Sequence, residues 1–298
     1  MKHQLRHRLT AATAGLVLAL TGLVATQQPA LADQVGQAPT SADIGGNGSF
    51  ATTNTAITGA SGFGGGRVYY PTTAGQYPVI AIVPGYTAYW SSLAWLGPRV
   101  ASWGFVVVGI ETNSTLDQPA QRGQELLAAL RWATNSSPSA VRARVDPARR
   151  AVAGHSMGGG GTLEALKDDS TLKAGVPLAP WDLSSNWSSV RAPVAIIGGQ
   201  ADTIAPVSSM SIPFYNSLGG SKDYVELAGQ SHFFPQSADP VVSQVLVSWM
   251  KRFVSGDTRF TPFTCGLASN REVSNFRSNA CCRVCSQAGG ARAAAFRS

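Results

Sequence analysis

Charged residues are scarce in this sequence, and the charges that it has nearly cancel. Asp, Glu, Lys and Arg together make up 13% of the 298 residues, and residues 33–282 carry 17 basic against 16 acidic side chains. Nucleic-acid binding normally requires a basic surface, so we expect no nucleic-acid partner. Hydrophobic residues reach 44%, which is enough for a large core and argues against disorder.

Cysteine is equally scarce, and all four cysteines lie close to the C-terminus. A disulfide from Cys265 to either Cys281 or Cys282 would close a loop of about 16 residues. A zinc site at Cys282 and Cys285 is disfavoured because no further ligands accompany this pair. We therefore expect no metal and no other cofactor. Residues 283–298, rich in Ala, Gly and Arg, are predicted to form a disordered tail.

Long apolar runs are missing except for one near the N-terminus. Lys2, Arg6 and Arg8 precede the apolar run at 16–24, and Ala-Leu-Ala at 30–32 follows it. A basic start, a short apolar run and a small-residue cleavage site are typical of a secretory signal peptide. The run is too short to cross a membrane comfortably. Residues 1–32 are therefore predicted to be a signal peptide, the protein to be extracellular, and no segment to span a membrane.

From residue 77 onward, short apolar segments alternate with segments of helical periodicity. Uninterrupted apolar strands between helices are typical of a mostly parallel sheet that is covered on both faces. Such a sheet carries its functional site at the carboxyl ends of its strands. The sequence thus predicts one α/β domain over residues 33–282. Its expected strands are 77–83, 104–110, 150–154, 192–198 and 224–227, and its expected helices are 118–132, 157–167 and 241–253.

The segment Gly-His-Ser-Met-Gly at 154–158 fits the G-x-S-x-G pattern. A predicted strand precedes it and a predicted helix follows it, as a nucleophile elbow requires. Ser156 is therefore the candidate nucleophile, and a serine hydroxyl needs a base beside it. Two of the four histidines fall in the predicted signal peptide, and we expect the elbow to direct His155 elsewhere. The predicted base is His232, in the loop after the strand at 224–227.

The third member of the predicted triad is Asp202, which directly follows the strand at 192–198. With Asp202 as the third member, the triad follows the chain order Ser, Asp, His, which is the order found with this kind of elbow. The rival carboxylates are less well placed: Asp182 comes one strand earlier, and Asp223 and Glu226 lie beside or within a strand.

An oxyanion hole requires two N–H donors that point at the developing negative charge. The N–H of Met157, the residue after the nucleophile, is one predicted donor, and the N–H of Tyr86 in the loop after the strand at 77–83 is the other. Tyr86 and Trp181 would also offer aromatic faces to an acyl group.

The sequence resembles the actinobacterial cutinases, a group that includes polyester hydrolases active on poly(ethylene terephthalate). The matching segments are PGYTA at 84–88, SLAWLGP at 92–98, TLDQP at 115–119, GHSMGGGG at 154–161, NWSSV at 186–190, DTIAP at 202–206, SHF at 231–233 and KRFV at 251–254.

This resemblance implies an α/β-hydrolase fold without a lid and ester hydrolysis through an acyl-enzyme. It also implies that Tyr86 and Met157 are the oxyanion donors and that Tyr86, Trp181 and Ile204 line the substrate groove. Calcium-binding members of the group have acidic residues where this chain has Gln200 and Ala228, so we expect no calcium site of that kind.

The predicted activity is therefore that of a monomeric, secreted serine esterase that cleaves insoluble polyesters and short-to-medium acyl esters. Two alternatives stay open from the sequence. One is a triacylglycerol lipase that prefers long chains, and the other is a non-catalytic secreted binding protein on a hydrolase scaffold.

Overall fold

The computed structural model describes residues 35–281, and a nine-stranded sheet runs through them. The predicted signal peptide, the predicted tail, Cys282 and Cys285 lie outside the described residues. The strands are β1 (Thr52–Ala56), β2 (Gly66–Pro71), β3 (Tyr77–Val83), β4 (Val106–Ile110), β5 (Val145–His155), β6 (Ala174–Leu178), β7 (Val194–Gly199), β8 (Lys222–Leu227) and β9 (Val273–Ser278).

The centre of the sheet is parallel and its edges are antiparallel. The strand order is β1-β2-β4-β3-β5-β6-β7-β8-β9, in which every neighbouring pair from β4 to β8 is parallel. Strands β1, β2 and β9 are antiparallel to their neighbours. Every residue of β3, β4, β6 and β7 is buried, as expected for apolar strands covered on both faces.

Helices cover both faces of the sheet and divide the core into two layers. In β3, Ile80 and Ile82 face the layer that contains Leu246 and Trp249 of α6, while Val79 and Ala81 face the layer formed with α2 and α4. This alternation follows from the two-residue period of a strand. The helices are α1 (Leu96–Ala101), α2 (Pro119–Asn135), α3 (Ser139–Arg142), α4 (Met157–Asp168), α5 (Ser211–Ser217), α6 (Pro240–Phe253) and α7 (Thr261–Cys265).

Local sequence explains where the long helices begin. Pro119 and Pro240 are the first residues of α2 and α6, where a missing N–H costs nothing. The carboxylate of Asp239 also accepts hydrogen bonds from the N–H groups of Val241 and Val242. The predicted strands and the three predicted helices are all found, with ends shifted by a few residues.

Strands β1, β2, β6 and β9 were not among the expected strands. Strand β6 is only five residues long and contains Gly175 and Pro177, so its composition resembles a loop. Strand β9 is a partly exposed edge strand with a polar sequence, and it pairs with β8. Pairing partners, which the sequence does not show, decide both cases.

The strands carry their connecting loops at one edge, and these loops are 6 to 15 residues long. Residues 84–89, 111–118, 179–193, 200–210 and 228–233 leave the carboxyl ends of β3, β4, β6, β7 and β8, and none of these segments contains a helix or strand. Within residues 35–281, no helical subdomain covers this edge. The architecture is that of the predicted α/β-hydrolase fold without a lid.

One disulfide ties the C-terminal strand to the body of the domain. Cys265, the last residue of α7, is bonded to Cys281, which follows β9, and the two Cα atoms are 5.5 Å apart. This pairing selects Cys281 from the two partners that the sequence allowed. Between residues 35 and 281, no helix combines the length and the apolar character needed to cross a membrane.

The disulfide should stabilise the folded domain because it closes a loop in the unfolded chain. We expect the double substitution Cys265→Ser/Cys281→Ser to lower the free energy of unfolding by about 2–4 kcal/mol, measured by urea denaturation. Cys282→Ser is the matched control and should leave the denaturation midpoint unchanged. A large effect of Cys282→Ser would mean that the pairing seen here is wrong.

Candidate active site

A sharp turn between β5 and α4 carries Ser156. Strand β5 ends at His155, helix α4 begins at Met157, and Ser156 between them has φ 58° and ψ −121°. A positive φ is strained for a residue with a Cβ, so the surroundings must hold it. The N–H of Ser156 donates to the carbonyl of Leu178, and its own carbonyl accepts from the N–H groups of Gly160 and Trp181, all within 3.0 Å.

Glycine is required where the elbow meets the neighbouring loop. A Cβ atom at Gly158 would lie 2.5 Å from the carbonyl oxygens of Val83 and Pro84, and one at Gly85 would lie 2.9 Å from Cβ of Ser156. Real Cβ atoms do not approach other atoms so closely. These two glycines therefore let the loop after β3 lie directly against the turn.

The structure brings Ser156, His232 and Asp202 into one chain of contacts. Nε2 of His232 is 2.9 Å from Oγ of Ser156, and Nδ1 of the same ring is 2.7 Å from Oδ2 of Asp202. All three residues are buried, with at most 7% of their surface exposed. The three come from the carboxyl ends of β5, β8 and β7, which the parallel sheet sets side by side.

Asp202 is held in its ionised form. Burial alone would raise its pKa, but hydrogen bonds from His232 and from the main-chain N–H groups of Ala205 and Ile204 outweigh burial and lower the pKa below its usual value. An ionised carboxylate on Nδ1 keeps the proton on that nitrogen and leaves Nε2 free to accept the proton of Ser156.

The rival carboxylates lie elsewhere. Oδ1 of Asp182 accepts from the N–H of Ser184, and burial raises the pKa of Asp182 to about 6. Glu226 accepts from the hydroxyl of Tyr224 at 2.6 Å. Asp223 lies near the start of β8, at the opposite edge of the sheet from Ser156, and burial raises its pKa to about 7.

The loop after β3 carries Tyr86, which is 45% exposed, beside the elbow. The N–H of Thr87 donates to the carbonyl of Thr115 at 2.8 Å, which joins this loop to the loop after β4. The buried guanidinium of Arg122 donates to the carbonyls of Pro84 and Thr115, at 3.0 and 2.8 Å. Sequence reasoning missed Arg122, because an arginine on a helix gives no sign that it reaches two loops.

The other predicted site residues also lie around Ser156. Met157 is the first residue of α4, Trp181 is joined to the elbow through its N–H, and Ile204, which is 50% exposed, donates its N–H to Asp202.

His155 does not lie where we expected it. The elbow was expected to turn its ring away from the site, but Nε2 of His155 is 2.9 Å from the main-chain oxygen of His232, and the two imidazole ring centres are 4.9 Å apart. The reason is that the turn at Ser156 redirects the chain after His155, so the histidine itself keeps the direction of β5 and reaches the loop after β8.

Gln200 and Ala228, which replace the acidic residues of the calcium-binding cutinases, make other contacts. Oε1 of Gln200 accepts from the N–H of Gly229, and the N–H of Ala228 donates to the carbonyl of Glu272. Within residues 35–281, no three His, Cys, Asp or Glu side chains are grouped so that they could hold a metal ion.

The sheet, the strained elbow and the contacting Ser, His and Asp define an α/β-hydrolase. A family model described as PET hydrolase-like matches residues 27–282, which is most of the sequence. The chain therefore belongs to the PET hydrolase-like family, and it is an ester hydrolase.

Several curated proteins are similar to the chain over most of their length. A cutinase of Thermobifida fusca (cut1) is 48% identical over 263 residues, covering 87% of this chain and 82% of that protein. Cutinase 2 of Thermobifida cellulosilytica is 54% identical over 209 residues, covering 70% of this chain and 80% of that protein. A bis(hydroxyethyl) terephthalate hydrolase of Streptomyces coelicolor is 46% identical over 273 residues, covering 88% and 87%.

The close approach at Gly85 leads to a prediction. In Gly85→Ala the new methyl group would push the loop away from Ser156, and an error of about 1 Å at a reacting centre can reduce a rate ~100-fold. We expect kcat/KM on p-nitrophenyl butyrate to fall at least about tenfold.

Gly266→Ala is the matched control because nothing lies within 4 Å of its added carbon. Its activity and melting temperature should equal those of the parent. Unchanged activity in Gly85→Ala would show that the loop does not need its present distance from the elbow.

Proposed function

We propose that the protein is a secreted serine esterase that cleaves polyesters and short acyl esters through an acyl-enzyme. The unbroken contact from Ser156 through His232 to Asp202 is the observation that supports this proposal most strongly. The relatives named cutinase and bis(hydroxyethyl) terephthalate hydrolase agree with it. The disulfide suits an oxidising, extracellular compartment.

In the proposed mechanism, Oγ of Ser156 attacks the ester carbonyl carbon while Nε2 of His232 takes the hydroxyl proton. The carbonyl oxygen becomes negative and is bound by the N–H groups of Tyr86 and Met157. His232 then gives its proton to the leaving alcohol, and the acyl group stays on Ser156. Water, deprotonated by His232, releases the acid and restores the serine. Asp202 stabilises the imidazolium in both halves of the reaction.

The surface around the site suits an insoluble, uncharged substrate. Six large hydrophobic side chains are exposed among residues 35–281, and all of them lie on the loops at the carboxyl ends of the strands. Those loops carry five charged side chains, of which only Arg191 is exposed. Exposed apolar groups that cluster around a site indicate a binding surface. The six are Tyr86, Tyr89, Leu116, Leu183, Ile204 and Phe233.

Removal of the nucleophile tests the proposed chemistry. We expect Ser156→Ala to lower kcat on p-nitrophenyl butyrate by at least ~10⁴-fold, since nucleophilic serines contribute on that scale. The parent should be labelled covalently by an organophosphate, and Ser156→Ala should not. An esterase activity that survives in Ser156→Ala, or a parent that is never labelled, would refute the assignment and favour a binding protein.

The choice of ester separates the esterase from a long-chain lipase. A groove without a lid should give faster release of acid from tributyrin than from triolein. The bis(hydroxyethyl) ester of terephthalic acid and a polyester film should both release soluble acid. A clear preference for triolein would favour the lipase.

The apolar surface leads to a prediction on adsorption. Leu183 is 86% exposed and Tyr89 is 62% exposed, and neither touches the reacting groups in the proposed mechanism. In a Ser156→Ala background, which cannot digest the film, we expect Leu183→Ser and Tyr89→Ser each to weaken adsorption to a polyester film severalfold. Full burial of one such side chain contributes about 1.5–3 kcal/mol, and contact with a film buries only part of it, so the expected loss is smaller.

In the active protein, the same two substitutions should leave kcat/KM on soluble p-nitrophenyl butyrate within about twofold of the parent, because loss of surface apolar contacts does not alter the chemical step. Ala140→Ser, at an exposed position in α3, is the control and should change neither quantity. Normal adsorption of both variants would show that the polymer is held by other residues.

A further inference from the structure

His155 is a buried histidine that the proposed mechanism leaves unused. Only 2% of its surface is exposed, and its ring packs against that of His232. Its Nε2 lies 2.9 Å from the carbonyl oxygen of His232, and this contact is fully buried. A hydrogen bond to the main chain of another histidine fixes that residue without touching its reactive nitrogens.

We propose that His155 is a positioning residue, which donates a hydrogen bond from Nε2–H to the main-chain carbonyl of His232 and so holds the imidazole of His232 in line with Ser156. The inference rests on the proposed function, in which His232 is the base.

The tautomer of His155 follows from its partner. A carbonyl oxygen can only accept a hydrogen bond, so Nε2 of His155 must carry the proton. Nδ1 has no hydrogen-bond partner among residues 35–281 and lies on the side of Gly85, which has no side chain to donate to it. The neutral ring with its proton on Nε2 is the form that this geometry accepts.

The charge state agrees with this tautomer. Burial, followed by the neighbouring His232, lowers the pKa of His155 to about 4, although the hydrogen bond to His232 and the carboxylate of Asp202 oppose the shift. The charged or titratable groups that act on the ring are thus His232 and Asp202. A neutral His155 places no second positive charge beside the imidazolium that forms during the reaction.

The loop that carries His232 is hydrogen-bonded at Ala228, Gly229 and Gln230, and His155 adds a bond at His232 itself. Residues 228–233 contain no helix or strand, and the ring of His232 must contact Asp202 and Ser156 at the same time. His155 belongs to β5, whose neighbours β3 and β6 make it a rigid central strand. Since Ser156 follows His155 directly, one strand end carries the nucleophile and also fixes the main chain of the base.

A pair of substitutions separates the hydrogen bond from the packing. In His155→Gln the side-chain amide nitrogen lies close to the position of Nε2 and can donate to the carbonyl of His232. In His155→Phe the ring is kept and the donor is lost. We expect kcat of His155→Phe on p-nitrophenyl butyrate to fall at least about tenfold with KM within twofold, and His155→Gln to recover most of that loss, because a misplaced base slows the chemical step and not binding.

The rate of covalent labelling by an organophosphate should follow the same order, because labelling also needs an activated serine. His155→Asn provides a second comparison with His155→Gln, since both are polar and the shorter amide cannot reach the carbonyl. This second pair decides the question if the phenylalanine variant fails to fold.

Three results would overturn the inference: a normal kcat in His155→Phe, a change confined to KM, or a His155→Gln variant no better than His155→Asn. The Ser156→Ala measurement keeps the two proposals distinguishable. If Ser156→Ala is inactive and His155→Phe is normal, only the role of His155 is wrong. If Ser156→Ala is active, the proposed function itself is wrong.

Discussion

The site depends on one strained residue, Ser156, held at positive φ between a buried strand and a helix. Its main-chain groups also hold the loop after β6. Its N–H donates to the carbonyl of Leu178, and its carbonyl accepts from the N–H of Trp181. A relaxed backbone at this position would move Oγ away from His232 and would also release the loop after β6. The strain is thus sustained by the same hydrogen bonds that assemble the surroundings of the serine.

The remaining groups reach Ser156 from separate loops, and hydrogen bonds to buried polar side chains hold these loops. Arg122 of α2 holds the loop after β3 through the carbonyl of Pro84. Asp202 holds its own loop through the N–H groups of Ile204 and Ala205. Fully buried polar anchors of this kind place loops more precisely than apolar packing does, because hydrogen bonds have direction.

Much of this arrangement could be predicted from the sequence, but several strands and the contacts of two buried side chains could not. The G-x-S-x-G segment, the shortage of histidines and the chain order predicted Ser156, His232 and Asp202, which lie in contact, because each of these signals is contained in the order of residues along the chain. The strands β6 and β9 were missed, since pairing with a neighbour defines them. His155 was misjudged and Arg122 was missed for a related reason. Both contact main-chain carbonyls of residues distant in sequence. Every residue has such a carbonyl, so the sequence does not mark the partner.

Basic side chains and exposed apolar side chains are distributed unevenly over the domain. The loops at the carboxyl ends of the strands lack lysine, and the large exposed hydrophobic side chains gather there, while the other faces of the domain carry most of the basic residues. Exposed apolar groups promote association, so a protein that keeps them in one region limits that risk to the place where contact with a substrate is needed. A charged rim would bind water and would oppose close contact with an uncharged ester surface. Of the charged side chains on these loops only Arg191 is exposed, so the surface around the proposed chemistry is nearly free of charge.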